Sequence, residues 1–163
     1  MNRRQSVSRW ILSGVGVCLL AGTTGSSQTP TPTPTPTIPL SQFKAITADD
    51  IKPTGTSTQV VLYGDPTKAG MYAVQITFAP GRGSRPHFHD QDRFVTVVKG
   101  TWYVALGPDT DTYDPAKMTP MKAGSFVYHP AFGHHYDGAK DEEAVVRIVG
   151  MGPVKTVSLE QPK

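Results

Sequence analysis

The chain has 163 residues, which is typical of one domain, so a single site is expected to carry its function. Its 16 basic residues exceed its 13 acidic residues, but Arg3, Arg4 and Arg9 lie in the first nine positions, before any acid. Basic and acidic residues balance in the remainder, so the charge gives no support for a nucleic-acid partner or an anionic membrane surface. The one cysteine, Cys18, lies in an N-terminal apolar run, which excludes disulfides and thiolate chemistry from the rest of the chain.

Residues 1–27 are predicted to form a signal peptide. They combine a positive start with an apolar run from Trp10 to Ala21 and small residues from Gly22 to Ser27. The apolar run is too short to span a bilayer. Arg3-Arg4 also resembles the start of a twin-arginine signal, so the general secretory route and the twin-arginine route both stay open. We expect an exported protein, periplasmic or secreted, with no membrane span after the signal is removed.

Residues 28–39 are predicted to form a spacer, and residues 40–163 the folded domain. From Thr29 to Pro36 the sequence repeats Thr-Pro four times, a composition that cannot form a core and favours an extended, polyproline-like chain. The sequence therefore predicts one tethered domain.

The domain sequence predicts an all-β sandwich or barrel, because its apolar runs are short, rich in Val, Tyr, Phe and Thr, and separated by Gly and Pro. The predicted strands lie at about 58–63, 71–78, 84–89, 93–99, 101–106, 125–129, 133–137 and 144–149. Lys99-Gly100-Thr101 predicts a tight hairpin. Residues 107–119 predict a polar loop whose Asp109, Asp111 and Asp114 are interpreted as surface acids, since the loop lacks the glycine and terminal glutamate of a calcium loop.

His87 and His89 are the first candidate metal ligands. Two residues apart on a strand, both imidazoles would lie on the same face. Neutral imidazole is the commonest protein ligand of borderline divalent metals. An H-x-H pair alone can equally be a polar surface pair, so the surrounding sequence has to decide.

Two spaced motifs surround these histidines. Gly81, His87, His89 and Gly100 fit the pattern G-x5-H-x-H-x3-E-x6-G except at its glutamate, and Gly124, Pro130 and His135 fit G-x5-P-x-G-x2-H-x3-N. The chain therefore resembles the cupin superfamily over roughly residues 55–150. The resemblance implies a cupin-type double-stranded β-helix, or jelly-roll barrel. It also implies one divalent metal ion (Fe, Mn, Ni, Cu or Zn) on His87, His89 and His135, and pairing into a homodimer.

Arg93 stands where the family has its glutamate ligand. If Arg93 points into the barrel, the site with a divalent metal and neutral histidines carries +3 instead of +1. That charge favours an anionic or enolisable substrate gripped by a bidentate guanidinium, with Arg93 as the candidate catalytic residue. Two alternatives stay open: Arg93 turns outward to pair with Asp90 or Asp92, or the loss of the glutamate has abolished metal binding.

The second motif departs from the family at Phe132, which replaces a glycine, and at Ala139, which replaces an asparagine. Because Gly133 follows directly, the turn is predicted to re-form one residue later. His129 and His134 are interpreted as surface residues or as residues behind the ligands, with a fourth ligand from either as the alternative. Five strand aromatics are interpreted mainly as core residues, some of them lining the pocket: Phe94, Trp102, Tyr103, Phe126 and Tyr128.

The leading functional hypothesis is an exported, metal-dependent small-molecule enzyme, oxygenase-like or lyase-like. Three-histidine cupin sites occur in oxygenases, and the resemblance makes such a reaction plausible without selecting one. The alternative is a non-catalytic exported module that binds a small ligand or a metal. A purely structural protein would have neither a metal nor a pocket ligand.

Overall fold

The structure is a computed structural model that describes residues 39–53 and 58–160. The predicted signal peptide (1–27) and all but the last residue of the predicted spacer (28–39) lie outside the described residues. The chain divides into two units, Met1–Gln42 and Phe43–Lys163, and only the second carries the strands discussed below. Among the described residues, no helix has the length and apolar character needed to cross a membrane.

Within the described residues, ten strands form two antiparallel sheets of five strands each, which confirms the predicted jelly-roll barrel. The strands are β1 (Gln59–Tyr63), β2 (Gly70–Phe78), β3 (His87–His89), β4 (Arg93–Lys99), β5 (Thr101–Leu106), β6 (Thr119–Lys122), β7 (Phe126–His129), β8 (His135–Gly138), β9 (Ala144–Gly152) and β10 (Thr156–Ser158). Short 3-10 turns lie at Leu40–Gln42, Ala48–Asp50, Pro108–Thr110 and Pro115–Lys117. One sheet has the order β1-β2-β9-β4-β7 and the other β10-β3-β8-β5-β6.

The core lies between the inner faces of the sheets, and strand alternation decides which residues enter it. On β4, Val95 and Val97 are each 1% exposed, whereas Phe94, directly before Val95, is 45% exposed. Trp102 and Ile148 fill the same cluster from β5 and β9. Val95 and Val97 therefore point into the barrel, and Arg93 at the start of β4 is in phase with them.

The predicted hairpin at Gly100 is wrong. β4 pairs with β7 and β9, whereas β5 pairs with β6 and β8, so the chain changes sheets at this glycine. Gly100 has φ 69°, and a Cβ there would lie 2.1 Å from the carbonyl oxygen of Glu143. A two-residue turn signal cannot distinguish a hairpin from a corner between sheets, because both need a left-handed residue.

Two strands were not predicted from the sequence, β6 and β10. Both lie at sheet edges. β6 carries Pro120, and β10 is only three residues long and exposed throughout, so neither shows the apolar alternation of a strand. β10 pairs with β3 and places Thr156 opposite His89, so it belongs to the neighbourhood of the site.

Candidate metal centre and its cavity

The structure brings His87, His89 and His135 together. β3 pairs with β8 so that His87 and His135 are directly opposite one another, and His89 lies on the same face of β3 two residues on. One ring nitrogen from each of the three lies within 4.8 Å of the other two. The Nε2 atoms of His87 and His89 are 3.2 Å apart. This is a convergent set of three imidazole donors.

The hydrogen bonds at the other ring nitrogens fix which atoms face inward. Nδ1 of His87 donates to the carbonyl oxygen of Arg85 at 2.7 Å, and Nδ1 of His135 donates to that of Gly133 at 2.8 Å. The hydroxyl of Thr156 lies 3.1 Å from Nδ1 of His89. With a proton on Nδ1, each Nε2 keeps a lone pair, and such outer bonds orient imidazole ligands in metal sites.

Two of these imidazoles are held neutral. Burial, the charge of Arg93 and the neighbouring histidines lower the pKa of His89 to about 2. Burial and the neighbouring His87 lower the pKa of His135 to about 4. Neutral nitrogens are the form that binds a metal, so the donor chemistry fits one divalent ion on the three histidines.

Arg93 points into the barrel, as its phase with Val95 and Val97 on β4 requires. Its Nη1 contacts Nε2 of His89. Asp90 and Asp92 were the possible partners of an outward-facing Arg93. Each instead accepts a 2.7 Å hydrogen bond from a main-chain N–H. Because a guanidinium donates only, this contact uses the lone pair that a metal on His89 would need. Binding to all three histidines therefore requires Arg93 to withdraw.

A cavity of about 410 Å³ opens above the triad and Arg93. Its wall includes residues that were not predicted as site residues, among them Tyr72, Arg82, Asp137 and Thr156. Asp137 follows His135 by two on β8, so the strand alternation that aligned His87 with His89 was a signal for it as well. Its carboxylate accepts a short hydrogen bond from the hydroxyl of Ser84. Burial raises the pKa of Tyr72.

His129 lies behind the triad. It is 3% exposed, and its ring centroid is 4.2 Å from that of His135. Among the described residues, neither of its ring nitrogens has a hydrogen-bond partner, and the same holds for Nε1 of Trp102 and Nε of Arg93. The three converging nitrogens belong to His87, His89 and His135, and His129 does not contribute one. Burial, followed by His135, lowers the pKa of His129 to about 2.

His134 faces away from the triad, as expected for the neighbour of His135 on an extended chain. Its Nδ1 lies 2.5 Å from a carboxylate oxygen of Asp111, and its ring stacks on Phe88 at 5.5 Å between centroids. Asp114 accepts a hydrogen bond from the backbone of Ala116 at 2.9 Å. The loop acids thus make local contacts like those of ordinary surface residues.

The expectation that the turn re-forms at Gly133 is wrong. Phe132 itself adopts the left-handed conformation, with φ 63°, at the position where the family has glycine. Its N–H donates to the carbonyl oxygen of His89 at 2.7 Å, and that of Gly133 donates to Pro130 at 3.0 Å. These bonds hold the turn in place against a cost of about 1–3 kcal/mol for the left-handed backbone.

The expectation that some of the five strand aromatics line the pocket is also wrong. Trp102 is fully buried in the core, and Phe94, Phe126 and Tyr128 stack on the outer face of the barrel. The aromatic residues in the cavity wall are Tyr72 and Phe78, both on β2. Aromatic residues are common on both faces of strands, so their type alone does not predict the side they take.

Solved structures with a similar fold include the following three. The polyketide cyclase RemF from Streptomyces resistomycificus has a TM-score of 0.61 at 14% identity, covering 74% of this chain and 88% of its own. A cupin-like protein from Thermotoga maritima has 0.52 at 21%, covering 69% and 92%. A cupin 2 domain-containing protein from Halorhodospira halophila has 0.50 at 17%, covering 66% and 72%. No family model and no curated protein matches the sequence. The chain has the fold of the cupin superfamily, as the two motifs predict.

Proposed function

We propose that the chain binds one divalent metal ion on His87, His89 and His135 and acts there on a small anionic or enolisable molecule that Arg93 holds. The observation that carries this proposal is the convergence of three imidazole nitrogens beneath a cavity of about 410 Å³, with the half-buried Arg93 beside them. The polyketide cyclase named above, an enzyme, has a similar fold.

The roles of the chain's residues follow from their contacts. A bound metal would supply Lewis-acid polarisation of a carbonyl or enolate oxygen and, if redox-active, oxygen chemistry, so oxygenase-like and lyase-like reactions both fit. Arg85, Gly133 and Thr156 orient the three imidazoles through their Nδ1 atoms. Arg93 grips a carboxylate through two parallel N–H donors, and the apolar part of the cavity wall excludes water from the bound molecule.

Electrostatics favours an anion in this site. At about 5 Å and an effective dielectric constant of about 20, a guanidinium and a divalent ion repel by roughly 7 kcal/mol. A carboxylate between them offsets this repulsion. It also offers Arg93 a new acceptor when the metal takes the lone pair of His89, so metal and anion are expected to bind cooperatively.

A non-catalytic binding module is the second candidate, and the contact of Arg93 with His89 favours it. Without metal, Nη1 of Arg93 already contacts Nε2 of His89, which suits a protein that sequesters a ligand without turning it over. Oxygen uptake and substrate loss in a panel of small carboxylic acids, diketones and enols distinguish the two. Turnover by the wild type that is absent in His135→Ala supports the enzyme, whereas tight binding without turnover supports the module.

Elemental analysis of the folded, untagged protein, expressed with mixed metals, tests the metal site. We expect about one divalent ion per chain in the wild type and none in His135→Ala. Protein that folds normally but contains no metal after incubation with each of the five candidate metals would contradict the proposal.

We further propose that the protein is exported through the segment 1–27 and tethered or released through the Thr-Pro spacer 28–39. The support is the composition of these segments. Cell fractionation and N-terminal sequencing of the mature protein test this. We expect a mature N-terminus near residue 28 outside the cytoplasm, and an intact N-terminus in the cytoplasm contradicts it.

We also propose a homodimer through a sheet face. The support is the exposed aromatic row of Phe94, Phe126 and Tyr128 on the outer face of one sheet. Light scattering on the purified protein after size-exclusion chromatography tests the dimer. Twice the chain mass is expected for the wild type and the single chain mass for Phe94→Lys, while a wild type of single chain mass contradicts the proposal.

A further inference from the structure

One wall of the cavity is apolar. On β2, the residues Tyr72, Val74, Ile76 and Phe78 alternate with outward residues, so all four face the same side and line the cavity. Pro66 and Val154 extend this surface. None of these side chains carries a charge. A bound molecule therefore meets an uncharged, mainly apolar surface on the β2 side.

The opposite wall is polar and carries a carboxylate. Ser84, Asp137 and Thr156 lie there. The hydroxyl of Ser84 donates to Asp137 Oδ1 and accepts from the backbone N–H of Asp137 at 2.9 Å, which fixes the carboxylate in place. The charge of Asp137 stabilises the protonated forms of Arg93 and His135, so it acts within the same cavity.

The cavity thus has a cationic group at the triad, an anionic group on one wall and an apolar surface on the other, and the solvent-exposed Arg82 also lines it. An incoming anion is attracted by Arg93. A second negative charge held beside the triad would meet either Asp137 or the apolar side chains of β2, because the exposed charge of Arg82 is screened by solvent. The volume of about 410 Å³ is near the lower end of the roughly 300–1,000 Å³ range of small-molecule sites, which limits the molecule's size.

We propose that the molecule taken by this cavity is an amphipathic monoanion: its one carboxylate or enolate lies at Arg93, and its apolar body, about one ring in size, packs on the β2 wall. Asp137 discriminates against dianions. This inference deepens the proposed function and rests on its placement of the anion, but the charge pattern of the wall is present without metal, so the preference holds in metal-free protein too.

Calorimetric titration with four matched probes tests this inference, on metal-free and on zinc-loaded protein. The probes are cyclohexanecarboxylate, acetate, trans-cyclohexane-1,4-dicarboxylate and cyclohexylammonium. Burial of the ring should make cyclohexanecarboxylate bind roughly ten- to hundredfold more tightly than acetate. The dicarboxylate is expected to bind at least tenfold more weakly than the monocarboxylate, and the cation not at all.

Two variants and one control variant test which wall causes each binding preference. Ile76→Ser should reduce the advantage of the ring over acetate by roughly three- to tenfold, because it removes about three carbons from the contact surface. Val149→Ser, a matched change on the outer face of β9, should leave that advantage unchanged. Asp137→Asn, which can still accept from Ser84, should bring the dicarboxylate within a few-fold of the monocarboxylate.

Equal affinities for acetate and the cyclohexane acid, or tightest binding of the dicarboxylate, would overturn the inference. The two proposals fail separately. If one metal binds per chain but the probes show no preference, the substrate class is wrong and the metal centre stands. If the monoanion is preferred in protein that takes up no metal, the metal centre is wrong and the substrate class stands. Should a variant not fold, the probe series on the wild type still decides.

Discussion

His134 and His135 are neighbours in the chain, yet they belong to different regions of the molecule. His135 faces the cavity, is 2% exposed and places a ring nitrogen close to those of His87 and His89. His134 faces outward, pairs with Asp111 and stacks on Phe88. The two histidines thus differ in chemical environment because strand alternation turns them to opposite faces. A cavity-facing residue and its outward neighbour form matched pairs, in which one variant tests the site and the other tests the fold.

The largest expected difference is in metal affinity. His135→Ala should weaken metal binding by about a thousandfold or more, well beyond the roughly 10- to 100-fold cost of losing an orienting partner, because it removes a ligand. His134→Ala should change it by no more than a few-fold. Competition with a chromophoric chelator measures both. Equal losses in the two variants would show that the triad is not the site.

The stability of metal-free protein should fall as the pH decreases below about 6.5. His89, His129 and His135 stay neutral when folded, because burial lowers their pKa values to about 2, 2 and 4, whereas in the unfolded chain they take up protons near 6.5. The unfolded state therefore gains protons first. Each histidine removes at most about 1.4 kcal/mol per pH unit until its folded pKa is reached.

Urea unfolding at a series of pH values measures this loss. His129→Leu should reduce the pH slope by up to a third, and His134→Ala should leave it nearly unchanged. A stability curve that is flat between pH 6.5 and 5 would show that the buried histidines take up protons in the folded state.

Arg93→Gln should weaken carboxylate binding by about 10- to 100-fold, since hydrogen bonds to charged groups contribute about 1.5–3 kcal/mol each. The same variant should raise metal affinity, because it removes a repelling cation and frees Nε2 of His89. Arg85→Gln is the outward control, since the Arg85 side chain pairs with Glu160 at 2.7 Å and lies outside the cavity wall, while only its backbone carbonyl contacts His87. Inhibition by small carboxylates that survives in Arg93→Gln contradicts the role of Arg93.

Thr156→Val should have the smallest effect, a loss of about tenfold in metal affinity. It removes the hydroxyl that lies beside Nδ1 of His89 but leaves every ligand in place. Thr96→Val, on the outer face of β4, is the control and should leave metal affinity unchanged. A Thr156→Val protein with wild-type affinity would mean that packing alone orients His89.

The sequence predicted most of the fold because its central strands alternate clearly and its two motifs place glycines at turns with defined spacing. The edge strands β6 and β10 could not be predicted because both are largely exposed to solvent, so their sequences lack the apolar alternation of a half-buried strand. The corner at Gly100 was misinterpreted because a left-handed glycine is compatible with a hairpin and with a change of sheet. Which of the two occurs depends on long-range pairing with β9.

The triad itself could be predicted, since spacing and strand phase are local properties. The inward direction of Arg93 follows from its phase with Val95 and Val97, but it could not be fixed while Asp90 and Asp92 were available as partners. The structure engages both acids with main-chain N–H groups. Asp137 carried the same two-residue signal as His89 and was overlooked. Tyr72 could not be placed, because its location depends on β2 packing across the barrel.

The number of histidine nitrogens on the metal tests the central claim most directly. Copper(II)-loaded protein, with and without nitrogen-15 labelled histidine, can be examined by pulsed electron paramagnetic resonance. The account predicts one copper per chain bound by three imidazoles in the wild type, in His134→Ala and in His129→Leu, and no copper bound in the cavity of His135→Ala. A fourth imidazole that disappears in His129→Leu, or copper bound without the three cavity histidines, would contradict it.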